Sequence, residues 1–337
     1  IRVSLVGSEM CIRDRYQTMS KAAELKKQLR LPVIGAPLFT VSYPELVIAQ
    51  CKAGVVGSFP ALNARPQEEL EIWINKISEE LKIYQDENPD KKVAPFAVNQ
   101  ICHHSNDRLE HDVEVCVKHE VPLIITSLRA PKFVTDAVHS YGGLVMHDVI
   151  NIRHAKKAIE EGADGLILVC AGAGGHAGTL SPFALVREVR EFFDGPIALS
   201  GSISEGSSIL SALALGADFA YIGTKFIATA EANASPGYKQ MIVDSKADDI
   251  MYSATFTGVH GNYLRPSVVA AGLNPDEHMS GSKDSMNFGS SATKAWKDIW
   301  GSGQGIGNIS EVKTVSDAVD DLEAEYNSAK LRLKEVG

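Results

Sequence analysis

Short apolar, β-prone runs recur along this chain, and each is followed by a segment with helical amphipathic spacing. Eight runs stand out: Val33–Ala36, Gly54–Gly57, Ala94–Val98, Leu123–Thr126, Gly143–His147, Gly165–Val169, Ile197–Leu199 and Phe219–Ile222. Between them lie Tyr43–Ala53, Gln67–Gln85, Asp107–Lys118, Pro131–Ser140, Asn151–Glu161, Pro182–Phe193 and Glu205–Leu215. Their apolar residues fall at the spacing of helices with one buried face. Strand and helix in strict alternation imply βαβ crossovers and parallel pairing. Ser42, Asn106, Asn151, Ser181 and Ser204 precede helices as cap or turn residues. Gly162-Ala163-Asp164 and Gly216-Ala217-Asp218 each close a helix on glycine and lead into a strand. Eight units predict an α/β fold, a TIM (β/α)8 barrel; an open doubly wound sheet drawn from six of the same runs is the alternative.

The pattern changes after the eighth run. Residues 229–300 are helical in patches, with a Gly/Ser/Asn-rich middle at Asn274–Ser291, and predict a smaller, mainly helical lid domain. Residues 301–337 predict a C-terminal helix packed back on the barrel, with apolar Val315, Val319, Leu322 and Tyr326 on one face. Residues 19–228 form the barrel proper. Residues 1–18 have neither a signal peptide's apolar core nor any periodicity. They resemble translated sequencing adapter, so the expectation is a non-native leader and a natural start near Met19.

Composition narrows the function. With 337 residues, 45% hydrophobic and 22% charged, the chain has enough apolar material for a full core. A net charge of -9 leaves nucleic acid or an anionic membrane surface without an electrostatic basis for binding. No apolar run approaches the roughly 18 to 20 residues that span a bilayer. The five cysteines form no CxxC pair and no metal-ligand spacing. Small-molecule chemistry in a reducing cytoplasm is the expectation.

In a barrel the residues that follow each strand converge on one face. Here they are Pro37-Leu38, Ser58, Asn99-Gln100, Ser127, His147-Asp148, His176, Ser200-Gly201-Ser202 and Gly223-Thr224. His176 stands among four glycines in Ala171–Gly178, directly after a buried run. Glycine there lets backbone approach a ligand closely, and the imidazole reads as chemical rather than as a loop histidine bonded to a carbonyl. Leu199-Ser-Gly-Ser-Ile203 and Tyr221-Ile-Gly-Thr-Lys225 follow strands seven and eight, the usual phosphate loops of barrels. They imply a phosphate-bearing cofactor.

These residues resemble the flavin-dependent nitronate monooxygenases, formerly 2-nitropropane dioxygenases, and the related flavin-dependent enoyl-ACP reductases. The likeness runs from about Leu31 to Arg265 through Ile34-Gly-Ala-Pro-Leu38, Ala53–Gly57, Val98-Asn99, Ala173-Gly-Gly-His-Ala-Gly178, the two phosphate loops and Ala232-Asn-Ala-Ser-Pro236. The resemblance implies FMN across the barrel mouth. Ala36, Pro37 and Leu38 would line the isoalloxazine, and Asn99 and Ser127 would make polar contacts. Gly175, Gly201, Gly223 and Thr224 would hold the phosphate and ribityl chain. Relatives carry Gly-Gly-Ile where this chain has Gly201-Ser202-Ile203, so Ser202 is the weaker cofactor candidate. His176 matches the family's active-site histidine. It would take the α-proton of a nitroalkane or hold the oxygens of a nitronate, with FMN and dioxygen completing oxidation to a carbonyl compound and nitrite or a related nitrogen oxide. The alternatives are an NAD(P)H-dependent enoyl-ACP reductase and a flavin-binding barrel without turnover. Oligomeric state stays open, a homodimer included.

Other candidates carry less. His147-Asp148 reads equally as a cofactor contact or as a capping pair. His103-His104 lacks a carboxylate cluster and reads as surface rather than as a metal site. His260, in Thr257–Asn262, reads as an exposed turn histidine sooner than as a substrate contact. Lys225 suits either a cofactor phosphate or a neighbouring acid, and Cys170 reads as core. No metal is expected.

Overall fold

The computed structural model describes residues 22–256, 258–276 and 298–336. The predicted leader at residues 1–18, with Cys11, and residues 277–297 of the predicted lid lie outside them. In chain order the strands are β1 (Val33–Gly35), β2 (Gly57–Pro60), β3 (Phe96–Ile101), β4 (Leu123–Ser127), β5 (Leu144–Val149), β6 (Gly165–Val169), a two-residue β7 (Gly175–His176), β8 (Ile197–Ser200), β9 (Phe219–Ile222), β10 (Ile250–Ser253) and β11 (Gly261–Leu264). The α-helices used below are α1 (Pro44–Lys52), α2 (Glu69–Glu87), α3 (Leu109–Lys118), α4 (Lys132–His139), α5 (Ile152–Glu160), α6 (Pro182–Arg190), α7 (Gly206–Leu215), α8 (Thr224–Ile227), α9 (Pro236–Asp244), α10 (Arg265–Ala270) and α11 (Val315–Val336).

Eight strands form one parallel sheet in the order β1-β9-β8-β6-β5-β4-β3-β2. Its two edges meet: Ile34 bridges Val56, and Gly35 N–H donates to Val56 O at 2.7 Å. The sheet is thus a TIM barrel with helices outside, as the alternation of runs predicts. Side chains alternate along each strand. On β5, Leu144 and Met146 join the interior cluster with Ile34, Ile125, Ile167 and Phe219, while Val145 and Val149 pack outward under the helices. The N-terminal end of the barrel is plugged by helical residues 22–28. Leu25 enters the interior cluster and Lys26 Nζ pairs with Asp218 at 2.6 Å.

The second strand lies three residues later than its predicted position. Gly54 has a φ of +86° and its carbonyl accepts from Arg30 N–H, so it belongs to the turn that closes α1. Among the predicted caps, Asn151 Oδ1 accepts from His154 N–H at 2.9 Å at the start of α5. Ser204 instead donates to Gly305 O, and residue 205 precedes α7. After β9 come α8, α9 and α10, together with an antiparallel β10–β11 hairpin that the sequence did not announce. No described helix is long and apolar enough to cross a membrane.

Helix α11 returns to the barrel against α7, burying Val315, Val319 and Leu322. The contact requires glycine at the start of α7. A Cβ on Gly206 would fall 2.1 Å from Tyr326 N and 2.3 Å from Leu322 O, both backbone atoms that no rotamer change moves. Gly206→Ala is therefore expected to destabilise the protein by roughly 2–3 kcal/mol through overpacking. Urea unfolding checks this, and an unchanged midpoint would show that α11 does not dock so closely.

Candidate active site

The C-terminal strand ends open on a cavity of about 670 Å³, a size typical of small-ligand sites. Strand alternation decides which residues reach it. Ala36, Pro37, Leu38, Asn99, Ser127, Gly175, His176, Gly201, Ser202, Gly223 and Thr224 all line it. Ser58, Gln100 and His147, expected at the same face, do not. Ser58 is buried and donates to Gly35 O, and Gln100 Nε2 turns outward to Cys116 Sγ at 3.4 Å. His147 lies one residue out of phase with Asp148. Its Nδ1 meets Thr126 Oγ1 at 2.8 Å on the helix side, where burial pushes the imidazole down to about 4. Lys225 and the His103-His104 pair, whose rings lie 4.0 Å apart, are also outside the cavity, and Cys170 is core. The four described cysteines are free and buried.

On the inner face a polar string crosses three strands. Asn99 Nδ2 donates to Ser127 Oγ at 2.8 Å, and Ser127 Oγ donates to Asp148 Oδ2 at 2.5 Å. Asp148 Oδ1 is buried and has no hydrogen-bond partner among the described residues. Burial pushes the Asp148 carboxyl up to about 6, with the Ser127 bond opposing it.

His176 is held through its backbone. Residues Gly175 and His176 pair antiparallel with Asn262 and Gly261, which adds them as the third strand of the hairpin sheet. Ala177 N–H donates to His260 O, Tyr252 Oη donates to Ala177 O at 2.9 Å, and buried Asn262 Nδ2 donates to Ala173 O at 2.6 Å. The strands approach so closely that a Cβ on Gly261 would sit 2.6 Å from Gly175 O. His176 lines the cavity and is half-buried, and burial pushes its imidazole down to about 4. His260 stacks on Tyr252, with ring centroids 5.2 Å apart, at the exposed cavity rim.

The predicted phosphate loops are turned back on themselves. Gly201 and Ser202 have successive positive φ values of +138° and +56°, and Ser202 N–H donates to Gly172 O at 3.3 Å. Helix α7 is not available to assist, because Gly206 N–H already donates to Glu325 Oε2 of α11 at 2.7 Å. The segment Ile299–Gly303 with Gly305 closes this side of the cavity: Gly303 N–H donates to Thr224 Oγ1 and Gln304 N–H to Gly172 O, each at 2.9 Å. Sequence reasoning missed this wall, although Gly301-Ser-Gly-Gln-Gly305 repeats the composition of the other ligand-facing loops. It also missed Arg65 and Tyr252, which line the cavity from segments without such a signal.

A family model for nitronate monooxygenase matches residues 23–325. The chain belongs to the nitronate monooxygenase family. The nitronate monooxygenase of Paraburkholderia phytofirmans is 27% identical over 292 residues, covering 72% of this chain and 76% of that protein. Among solved structures, nitroalkane oxidase from Streptomyces ansochromogenes superposes with a TM-score of 0.73 at 22% identity, covering 91% of this chain and 99% of that one. FabK from Thermotoga maritima gives 0.72 at 23% identity, covering 92% and 96%. At this identity the structural likenesses speak for the barrel. Family membership makes this chain an oxidoreductase of the flavin-dependent type.

Serine at position 202 carries the cost of a left-handed backbone where glycine would carry none. Ser202→Gly is expected to stabilise the fold by about 0.5–1 kcal/mol, after the added freedom of the unfolded chain is subtracted. Thermal unfolding of the two proteins side by side is the check. A lower melting temperature for the variant would mean that the serine side chain holds the loop.

Proposed function

We propose that this protein oxidises alkyl nitronates with FMN and dioxygen, giving a carbonyl compound and nitrite. The observation that carries the reading is the half-buried His176 in the wall of a cavity whose backbone fits a phosphate-bearing cofactor. The fit rests on several features. Gly175, at a φ of +65°, has open space where a side chain would stand. Gly201 leaves no room for a side chain, since a Cβ would fall 2.7 Å from Ala171 O, and Gly223 lies against Leu38 and Ala36, where a Cβ would meet their side chains at 3.3 and 3.5 Å. Gly201, Ser202, Gly223 and Thr224 would hold the phosphate, Ala36, Pro37 and Leu38 would line the ring, and Asn99 and Ser127 would supply polar contacts. When bound, FMN supplies the redox chemistry, accepting electrons from the nitronate carbon and passing them to dioxygen.

The state of His176 favours nitronates over neutral nitroalkanes. An imidazole whose protonated form is this acidic is a weak base, poorly matched to removing a proton from carbon near neutral pH. Its neutral ring still carries one N–H, which can donate to a nitronate oxygen, and bringing an anion beside it raises its basicity. The hairpin holds His176 through main-chain pairing, so the donor is preorganised rather than recruited. Substrate charge also has a place to go. Arg65 is the only lysine or arginine lining the cavity among the described residues. Its Nε donates to Leu62 O at 2.9 Å and its guanidinium lies 5.8 Å from the Phe39 ring centre, and its terminal nitrogens donate to no described residue.

Purified protein is expected to be yellow, and propionate 3-nitronate to drive oxygen uptake without nicotinamide. A colourless protein that FMN does not reconstitute would sink the reading, and NADH oxidation stimulated by an enoyl thioester would replace it with the reductase. His176→Ala should bind flavin and lose about 10²–10³ in kcat/KM on nitronates, the usual cost of one preorganised donor. His176→Asn, which keeps an N–H, should recover part of that. Equal losses in both variants would make His176 a base instead. Arg65→Ala should raise KM for propionate 3-nitronate about tenfold, as expected for losing an exposed charged hydrogen bond, and leave ethylnitronate within about twofold. Equal KM changes for both substrates would remove Arg65 from substrate recognition.

A further inference from the structure

The cavity contains an ionisable group that binding of a nitronate by His176 leaves unused. Asp148 lies at the C-terminal end of β5, inside the barrel. One carboxyl oxygen is fixed by Ser127, and the other is buried with no hydrogen-bond partner among the described residues. A carboxylate so placed has little to hold its charge. The titratable groups around it come from separate elements, and among the described residues lining the cavity Arg65 alone is a lysine or arginine. Tyr221 of β9 is a buried phenol whose hydroxyl is raised well above its ordinary range by burial and by Asp148 itself. The Cys102 thiol, after β3, is pushed up to about 12 by burial, with Asp148 adding to it. His176 of β7 is neutral, His154 of α5 is pushed down by burial and by Arg153, and His147 on the same strand faces the other way. Arg65 is exposed.

We propose that Asp148 is a redox-linked proton acceptor, taking a proton from solvent when the bound flavin is reduced and returning it when dioxygen reoxidises the site. The inference rests on the flavin reading above. Two-electron reduction of a bound flavin by a chemical reductant, taken with one proton, would leave one added negative charge in the cavity. That charge favours the neutral form of a neighbouring acid. A second proton then forms an O–H bond on Asp148 and leaves a solvent hydronium or water, so that the cavity gains two electrons and two protons. On reoxidation the same O–H bond breaks and the proton returns to solvent. The position of the carboxyl, raised by burial to about 6, places the oxidised state just on the ionised side at neutral pH, where a small added field moves it across.

The test is the reduction potential of the holoenzyme against pH, with wild type and Asp148→Asn compared. Each proton taken up in a two-electron reduction shifts the potential by about 30 mV per tenfold change in proton concentration. Below pH about 6, Asp148 is protonated in both redox states and the two curves should run parallel. From about pH 6 upward, until the raised acid of the reduced state ionises, the wild-type potential should fall more steeply than the variant by about 30 mV per pH unit. Parallel curves throughout would overturn the proposal. Infrared difference spectra of wild type alone give a second reading that does not depend on the variant folding: a carboxylic-acid C=O band should appear on reduction near pH 7, and its absence would also overturn it. Protein that binds no flavin overturns both this inference and the reading beneath it, whereas flavin-bound protein with parallel curves and no carboxyl band overturns this inference alone.

Discussion

Closure of the sheet is the constraint on which the rest depends. Once the Ile34–Val56 bridge joins β1 to β2, the inner face has no edge, and side chains below the mouth must fill a dry interior. Polar residues on inward positions are then tolerable only at the C-terminal ends of the strands, where Asn99, Ser127 and Asp148 stand. Closure and the two-residue alternation together convert residues far apart in sequence into one chemical surface. The same geometry explains the perturbed acids and bases: a carboxyl and an imidazole at this layer meet protein on most sides, and both are driven toward their neutral forms.

Much of this was legible because the signals are local and repeated. Seven helices and eight strands follow from spacing alone, since a buried parallel strand needs a continuous apolar run and a covering helix needs one apolar face. The exceptions have physical causes. Gly54 looks like strand but serves a left-handed turn, and Ser204 looks like a cap but answers a carbonyl contributed by residue 305. His147 and Asp148 could not be told apart in sequence because a strand end does not announce its phase. The observed register resolves them, placing the histidine against Thr126 and the aspartate in the cavity.

The candidate site was legible on the barrel side and not on the far side. Loops with glycine after an apolar run declare close backbone approach. By contrast, the β10–β11 hairpin and the 299–305 wall become parts of the site only through long-range contacts, such as Asn262 to Ala173 and Gly303 to Thr224. The occupied start of α7 is of the same kind. Nothing near Gly206 in sequence says that Glu325, more than a hundred residues later, will fill the position that an anion would otherwise take.

The pairing of Gly175-His176 with Gly261-Asn262 makes one strand of the covering hairpin out of the very residues it covers. A lid attached only at its own hinge could swing while the chemistry beneath stayed intact. Here the hairpin either lifts with His176, dismantling the proposed oxyanion contact, or unzips from it and gives up the hydrogen bonds that aim it. The hydrogen bonds that hold His176 at the cavity are thus the same ones that join it to the hairpin, so a displacement of either element is felt by the other.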